Sequence, residues 1–127
     1  MDEPERLARQ LLDALQNAMR DRDLELLRQL LDDEIALFGT IRAHLDRTGS
    51  LAYLEEVLAQ PQTVEWEWTH VQPLVSQDDL MCFAVLGTVG FHGSAEPRTP
   101  FRLSCVAVRD FTGWRIRHFH GSVPQQD

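Results

Sequence analysis

The sequence predicts an α+β domain in which helices cover one face of a mostly antiparallel sheet. Three observations lead there. Apolar residues recur at helical spacing through the first sixty positions, and from Thr63 the period changes to two. Turn signals at Gln77-Asp78-Asp79, Gly93–Pro97 and Thr112-Gly113 then divide the second half into long strands. At 127 residues and 14.6 kDa the chain is read as a single domain, residues 1–127.

The first helix is expected over about 3–20. Asp2 is its N-cap, Pro4 lies in its first turn, and Leu7, Leu11, Leu12, Leu15, Ala18 and Met19 form its apolar stripe. A short second helix, about 23–31, is capped by Asp23 and buries Leu24, Leu27, Leu30 and Leu31. Asp32-Asp33-Glu34 reads as a turn, followed by a strand over about 35–40. Ser50 is the expected cap of a third helix, about 50–59, with Leu51, Leu54, Val57 and Leu58 inward and Pro61 past its end. Strands follow over about 63–75, 80–92, 99–110 and 114–122, the first disturbed at Pro73.

The formal net charge is −8, and all twelve bases are arginine. Without lysine, Schiff-base chemistry and a phosphate-loop lysine are excluded. No basic stripe is present, so neither nucleic acid nor an anionic membrane is an expected partner. The longest apolar run, Leu80 to Phe91, is too short to span a bilayer as a helix. The N-terminus lacks a basic and an apolar leader region, and Cys82 and Cys105 sit in apolar stretches as reduced thiols. Both observations point to the cytoplasm.

The C-terminal third carries a resemblance. Pro97-Arg98-Thr99, a strand, a Gly turn and then Trp114-x-x-x-His118-Phe119-His120-x-Ser122 are similar to the ending of the association (hub) domain of calcium/calmodulin-dependent protein kinase. Val64 to Val85 aligns with it without gaps, while the helical half matches in pattern. The chain thus resembles the SnoaL-like branch of the nuclear transport factor two-like superfamily. The resemblance implies a cone-shaped (cystatin-like) fold, three N-terminal helices on a curved sheet that encloses a pocket, and a homodimer or larger assembly. The hub pocket is lined by arginines. Three of those positions align with Gly87, Val106 and Gly121 here, and a histidine position aligns with Glu65. Carboxylate binding therefore does not carry over, and the two glycines are expected to widen the pocket.

His118 and His120 stand two apart on a strand, so regular alternation puts both on one face with Trp114, Ile116 and Ser122. Such a pair can share a proton or act as acid and base; it can equally cap the end of a core. A β-bulge near His118 would turn both rings to the outer face. With no third ligand at a persuasive spacing, no metal is expected, and no cofactor. Glu65 and Glu67 alternate with Trp66 and Trp68. Hydrophobicity alone sends the indoles inward, whereas the alignment puts Glu65 in the pocket and leaves the Trp face for a subunit interface. In a dry pocket Glu65 would serve as a general base. Arg102 shares a face with Val106 and needs a counter-charge, Glu65 or Glu67, or a ligand anion. Tyr53 and Phe38 are pocket-wall aromatics or plain core, and Asp13 is a nominal catalytic candidate beside Tyr53.

The expectation is a small cytoplasmic homo-oligomer. Its pocket, with Arg102, His118, His120, Tyr53, Phe38, Glu65, Gly87, Val106 and Gly121, binds a small molecule, or the domain serves as an assembly module. The alternative is an isomerase, dehydratase or cyclase with His118, His120 and Glu65 as its acid–base set.

Overall fold

The structure, a computed structural model, describes residues 2–125. The chain runs α1 (Glu3–Arg20), α2 (Leu24–Leu30), β1 (Leu31–Phe38), β2 (Ala43–His44), α3 (Arg47–Ala59), β3 (Val64–Ser76), β4 (Leu80–Phe91), β5 (Thr99–Asp110) and β6 (Gly113–Ser122). Three helices pack on a curved six-stranded sheet of order β2-β1-β6-β5-β4-β3. The pairs are antiparallel except β1 with β6, which runs parallel.

Two local expectations need correction, and one short strand was not expected. The acidic run Asp32-Asp33-Glu34 is strand, not turn. Its charges are met from β6, where Arg117 reaches Glu34 at 2.6 Å and Asp32 at 3.8 Å. Helix α3 begins at Arg47 because Asp46, not Ser50, is its cap: the Asp46 carboxylate accepts from the Gly49 N–H at 2.7 Å. Ser50 is fully buried in the first turn, and its hydroxyl donates to the Asp46 carbonyl. The two-residue β2, unanticipated from the sequence, pairs with the end of β1.

Parity sorts the strands. Met81, Phe83 and Val85 of β4, and Phe101, Leu103, Cys105 and Ala107 of β5, are buried on the face that meets the helices, here the inner face. Against them pack Ala8, Leu11, Leu12 and Leu15 of α1 and Leu27 of α2. The ladder is irregular in β3 and in β6. In β3 the register shifts between Trp68 and His70, and again at Pro73. In β6, Ile116 faces Ala107 while His118 faces Val106, so Arg117 is an extra residue, a β-bulge.

The exposed edge of β3 is tied to α1 by one side chain. Gln16 is buried; its Nε2 donates to the Val64 carbonyl at 3.2 Å, and its Oε1 accepts from the Trp66 N–H at 2.6 Å. Edge groups that would otherwise invite another strand are thereby satisfied. Arg22, at a left-handed φ of 53°, closes the end of α3. Its guanidinium donates to the carbonyls of Leu58, Gln60 and Pro61 and to the Thr63 hydroxyl.

Candidate functional site

A cavity of about 220 Å³ lies between the helices and the inner face. Its floor is Val64 and Trp66 of β3, Val89 of β4, Phe101 of β5, and Ile116, Phe119 and Gly121 of β6. Leu15 and Met19 of α1 and Tyr53, Leu54 and Val57 of α3 close it, and Leu31, Leu37, Gly39 and Thr40 form a side wall. Among the described lining residues, the Tyr53 phenol is the one ionisable group. Gly39 makes room for it: a Cβ there would stand 2.8 Å from the Tyr53 oxygen.

Trp66 and Trp68 both face inward, so hydrophobic burial decides the strand that the sequence left open. Their indoles stack at 5.6 Å and 17°, and Phe101 and Phe119 lie 6.3 Å from Trp66. The Nε1 atoms of both indoles are buried without a hydrogen-bond partner. Such groups are uncommon in folded proteins. Trp66 lines the cavity, whereas Trp68 does not.

The residues singled out from sequence divide between the two faces. Tyr53 and Gly121 line the cavity. His118, His120, Arg102 and Val106 share a face, as strand parity implied, but that face is the outer one. The Arg117 bulge turns the alternation over, so that Ile116, Phe119 and Gly121 point inward and both imidazoles point out. His118 Nδ1 donates to the Ala36 carbonyl at 2.8 Å, and Phe38 packs edge-on against His118 and His120 at 5.1 and 5.5 Å. Phe38 is thus an outer-face residue as well. Asp13 is exposed on α1 and lines no part of the cavity.

Glu65 is likewise outside the cavity, and its partner is Arg98 rather than Arg102. The register places Arg102 opposite Leu86 but Glu65 opposite Gly90, four residues along β4. Arg98 crosses over Gly90, which has no side chain to block it. It donates to the Glu65 carbonyl at 2.7 Å, to its carboxylate at 3.3 Å and to the Thr88 hydroxyl at 3.0 Å. The other Glu65 oxygen is 2.9 Å from His92 Nδ1. That hydrogen bond, with the nearby positive charges of His92 and Arg98, holds the Glu65 carboxyl below its ordinary range. The opposite shift was expected for a dry pocket.

Neither glycine widens the cavity. The space a Cβ would need at Gly87 is filled by the Glu67 main chain, and at Gly121 by the Phe101 ring. Two contributors went unread in the sequence, Gln16 and Arg98. Gln16 interrupts an otherwise apolar helical stripe, and Arg98 stands one residue before a strand that faces a glycine-bearing one; both signals are faint.

The model of the SnoaL-like domain family matches residues 8–126, so the chain belongs to that family. No curated protein matches it. Solved structures share the fold. An NTF2-like protein of unknown function from Pseudomonas putida KT2440 superposes with a TM-score of 0.81 at 22% identity, over 96% of this chain and 87% of that one. A protein described as a calcium/calmodulin-dependent protein kinase type II association domain, from Thiobacillus denitrificans, gives 0.73 at 20% identity over 91% and 93%. One described as a dehydratase of the NTF2-like family, from Streptomyces avermitilis, gives 0.83 at 16% identity over 96% of both chains.

Proposed function

We propose that this SnoaL-like domain binds a small, uncharged, apolar molecule in the inner cavity and assembles as a homodimer through the outer face of its sheet. The single observation behind the binding reading is the cavity lining, apolar throughout except for the Thr40 and Tyr53 hydroxyls and the indole of Trp66. A charged ligand would be stripped of water there with no counter-charge to receive it. Cavities of roughly 150 Å³ with apolar walls take up a benzene ring, so this one has room for a larger ring system.

The enzyme reading needs an acid–base pair inside the cavity. His118, His120 and Glu65 are outside it, which leaves Tyr53 alone to move a proton. The dehydratase description of the Streptomyces neighbour keeps that reading in view, with Tyr53 as its residue. Uptake of neutral bicyclic aromatics such as naphthalene, read by calorimetry or a rise in melting temperature, tests the cavity. Val57→Trp, which fills it from α3, is expected to abolish uptake, and binding that survives this change refutes the reading.

The assembly reading rests on Val75, Cys82, Ala84, Leu86 and Val106. They form an apolar strip on the outer face that no helix covers, with Leu86 53% exposed. The association-domain neighbour is consistent with it. His118, His120 and Arg102 border this strip and take their role there. Light scattering is expected to return twice the 14.6 kDa chain mass, and the Leu86→Asp protein the monomer mass. A monomeric wild-type chain would refute it. Cys82 and Cys105 lie on opposite faces of the sheet as free thiols, which suits a reducing, cytoplasmic setting.

A further inference from the structure

A second concavity lies far from the apolar cavity in character. It is an open cleft of about 520 Å³ between α2, the start of α3 and the β5–β6 turn, and three of its lining residues are Arg28, Arg47 and Arg115. Three guanidinium groups in one cleft are conspicuous in a chain of net charge −8. Two of them are anchored to the main chain by one nitrogen each. Arg47 donates to the Arg28 carbonyl at 2.9 Å, and Arg115 to the Leu31 carbonyl at 2.5 Å. Anchoring fixes where the remaining nitrogens stand, and the Nε atoms of both side chains are buried with no hydrogen-bond partner. Among the described residues, no other arginine has a buried nitrogen left unpartnered.

Carboxylates stand near the three guanidinium groups without a close contact. Elsewhere Arg9, Arg42, Arg98 and Arg117 each have a carboxylate oxygen within 3.3 Å, and Arg6, at 3.6 Å from Glu3, is a looser surface pair. In the cleft, Arg28–Glu25 is 3.5 Å, Arg115–Asp33 3.6 Å, Arg47–Asp33 3.7 Å and Arg115–Asp110 3.9 Å. All lie beyond a good charge-assisted hydrogen bond. Asp33, which Arg47 and Arg115 share, is 81% exposed and serves two guanidiniums at once. A bound oxyanion would displace it into water at little loss.

We infer that this cleft is an anion site and that its ligand is a phosphate monoester. Arginine forks match tetrahedral oxyanions, and two or three of them balance a dianion better than a single carboxylate. The cleft extends well past the volume of the ion, which leaves space for the organic part of an ester. This site is independent of the apolar cavity and of its ligand.

The test titrates the whole protein with phenyl phosphate and with inorganic phosphate, followed by calorimetry and amide shifts around Thr112. Phenyl phosphate is expected to bind more tightly than phosphate. Arg47→Gln and Arg28→Gln are each expected to weaken binding roughly tenfold. Asp33→Asn removes the competing carboxylate and is expected to tighten binding roughly threefold. A purely structural ion-pair cluster predicts no such gain. Absence of binding in both wild type and Asp33→Asn, or affinity unchanged by Arg28→Gln, an exposed position that does not hold the fold, overturns the proposal. Inorganic phosphate binding as tightly as the ester overturns the monoester assignment.

Discussion

The two faces of the sheet are made by the same strands, yet they follow different chemistry. The inner face is a continuous apolar layer in which Phe101, Ile116, Phe119 and the stacked indoles meet helices and enclose a cavity. The outer face carries His118, His120, Arg102 and the Glu65–Arg98–His92 clasp around an uncovered apolar strip. Titratable groups therefore gather where water reaches, and the cavity is left to shape and dispersion. A pocket-bearing fold need not place its ionisable residues in the pocket, and one inserted residue in β6 decides which side they occupy.

The largest effect that sharpens this contrast comes from neighbours in sequence. Phe119→Ala empties the floor of the cavity and is expected to cost about 3–5 kcal/mol in urea unfolding. His120→Ala, one residue on, is expected to stay within about 0.5 kcal/mol. Equal costs would break the distinction between the faces. A smaller but still large loss is expected from Gly87→Ala. Its Cβ must displace the Glu67 main chain rather than a flexible side chain, so about 2–3 kcal/mol is lost although only one methyl is added.

The outer clasp gives the smallest effect, and its sign follows from the depressed Glu65 carboxyl. A carboxyl whose folded pKa lies below its unfolded one stabilises the fold above the unfolded value, and the contribution is lost as pH falls through the folded value. Glu65→Gln is expected to cost less than about 1 kcal/mol near neutral pH and nothing in strong acid. A carbon-detected titration of Glu65 in His92→Ala protein is expected to show the carboxyl moving up toward its ordinary range.

Local rules carried most of the fold. Asp2 and Asp23 cap α1 and α2 because a carboxylate before an apolar helical stripe has few other roles, and both accept main-chain hydrogen bonds three residues on. The change of period at Thr63 found the long strands for the same reason. The site was less legible. Strand alternation predicts a face only while the ladder is regular, and nothing in Ile116-Arg117-His118 marks the extra residue. The bulge depends on pairing with β5 and β1, neighbours that the local sequence does not specify. The strand over Asp32–Glu34 was missed on similar grounds, since Arg117 compensates its acids from far along the chain; the Asp46 cap is local, three residues from the Gly49 N–H it accepts from, and Ser50 was chosen in its place. The Trp66 face, which composition alone left undecided, was settled by the area an indole removes from water.

The Gln16 link between α1 and the edge of β3 has a consequence in time. It joins residues 48 and 50 positions apart, so making it closes a long loop, whereas the β3–β4 ladder is a hairpin between neighbouring strands. Contacts held by few hydrogen bonds at a sheet edge are among the first to open in the native state. These two bonds can break without unzipping a single rung of the sheet, because neither belongs to the β3–β4 ladder. Hydrogen exchange at the Trp66 amide, whose proton Gln16 accepts, then reports how often this link between helix and sheet edge opens.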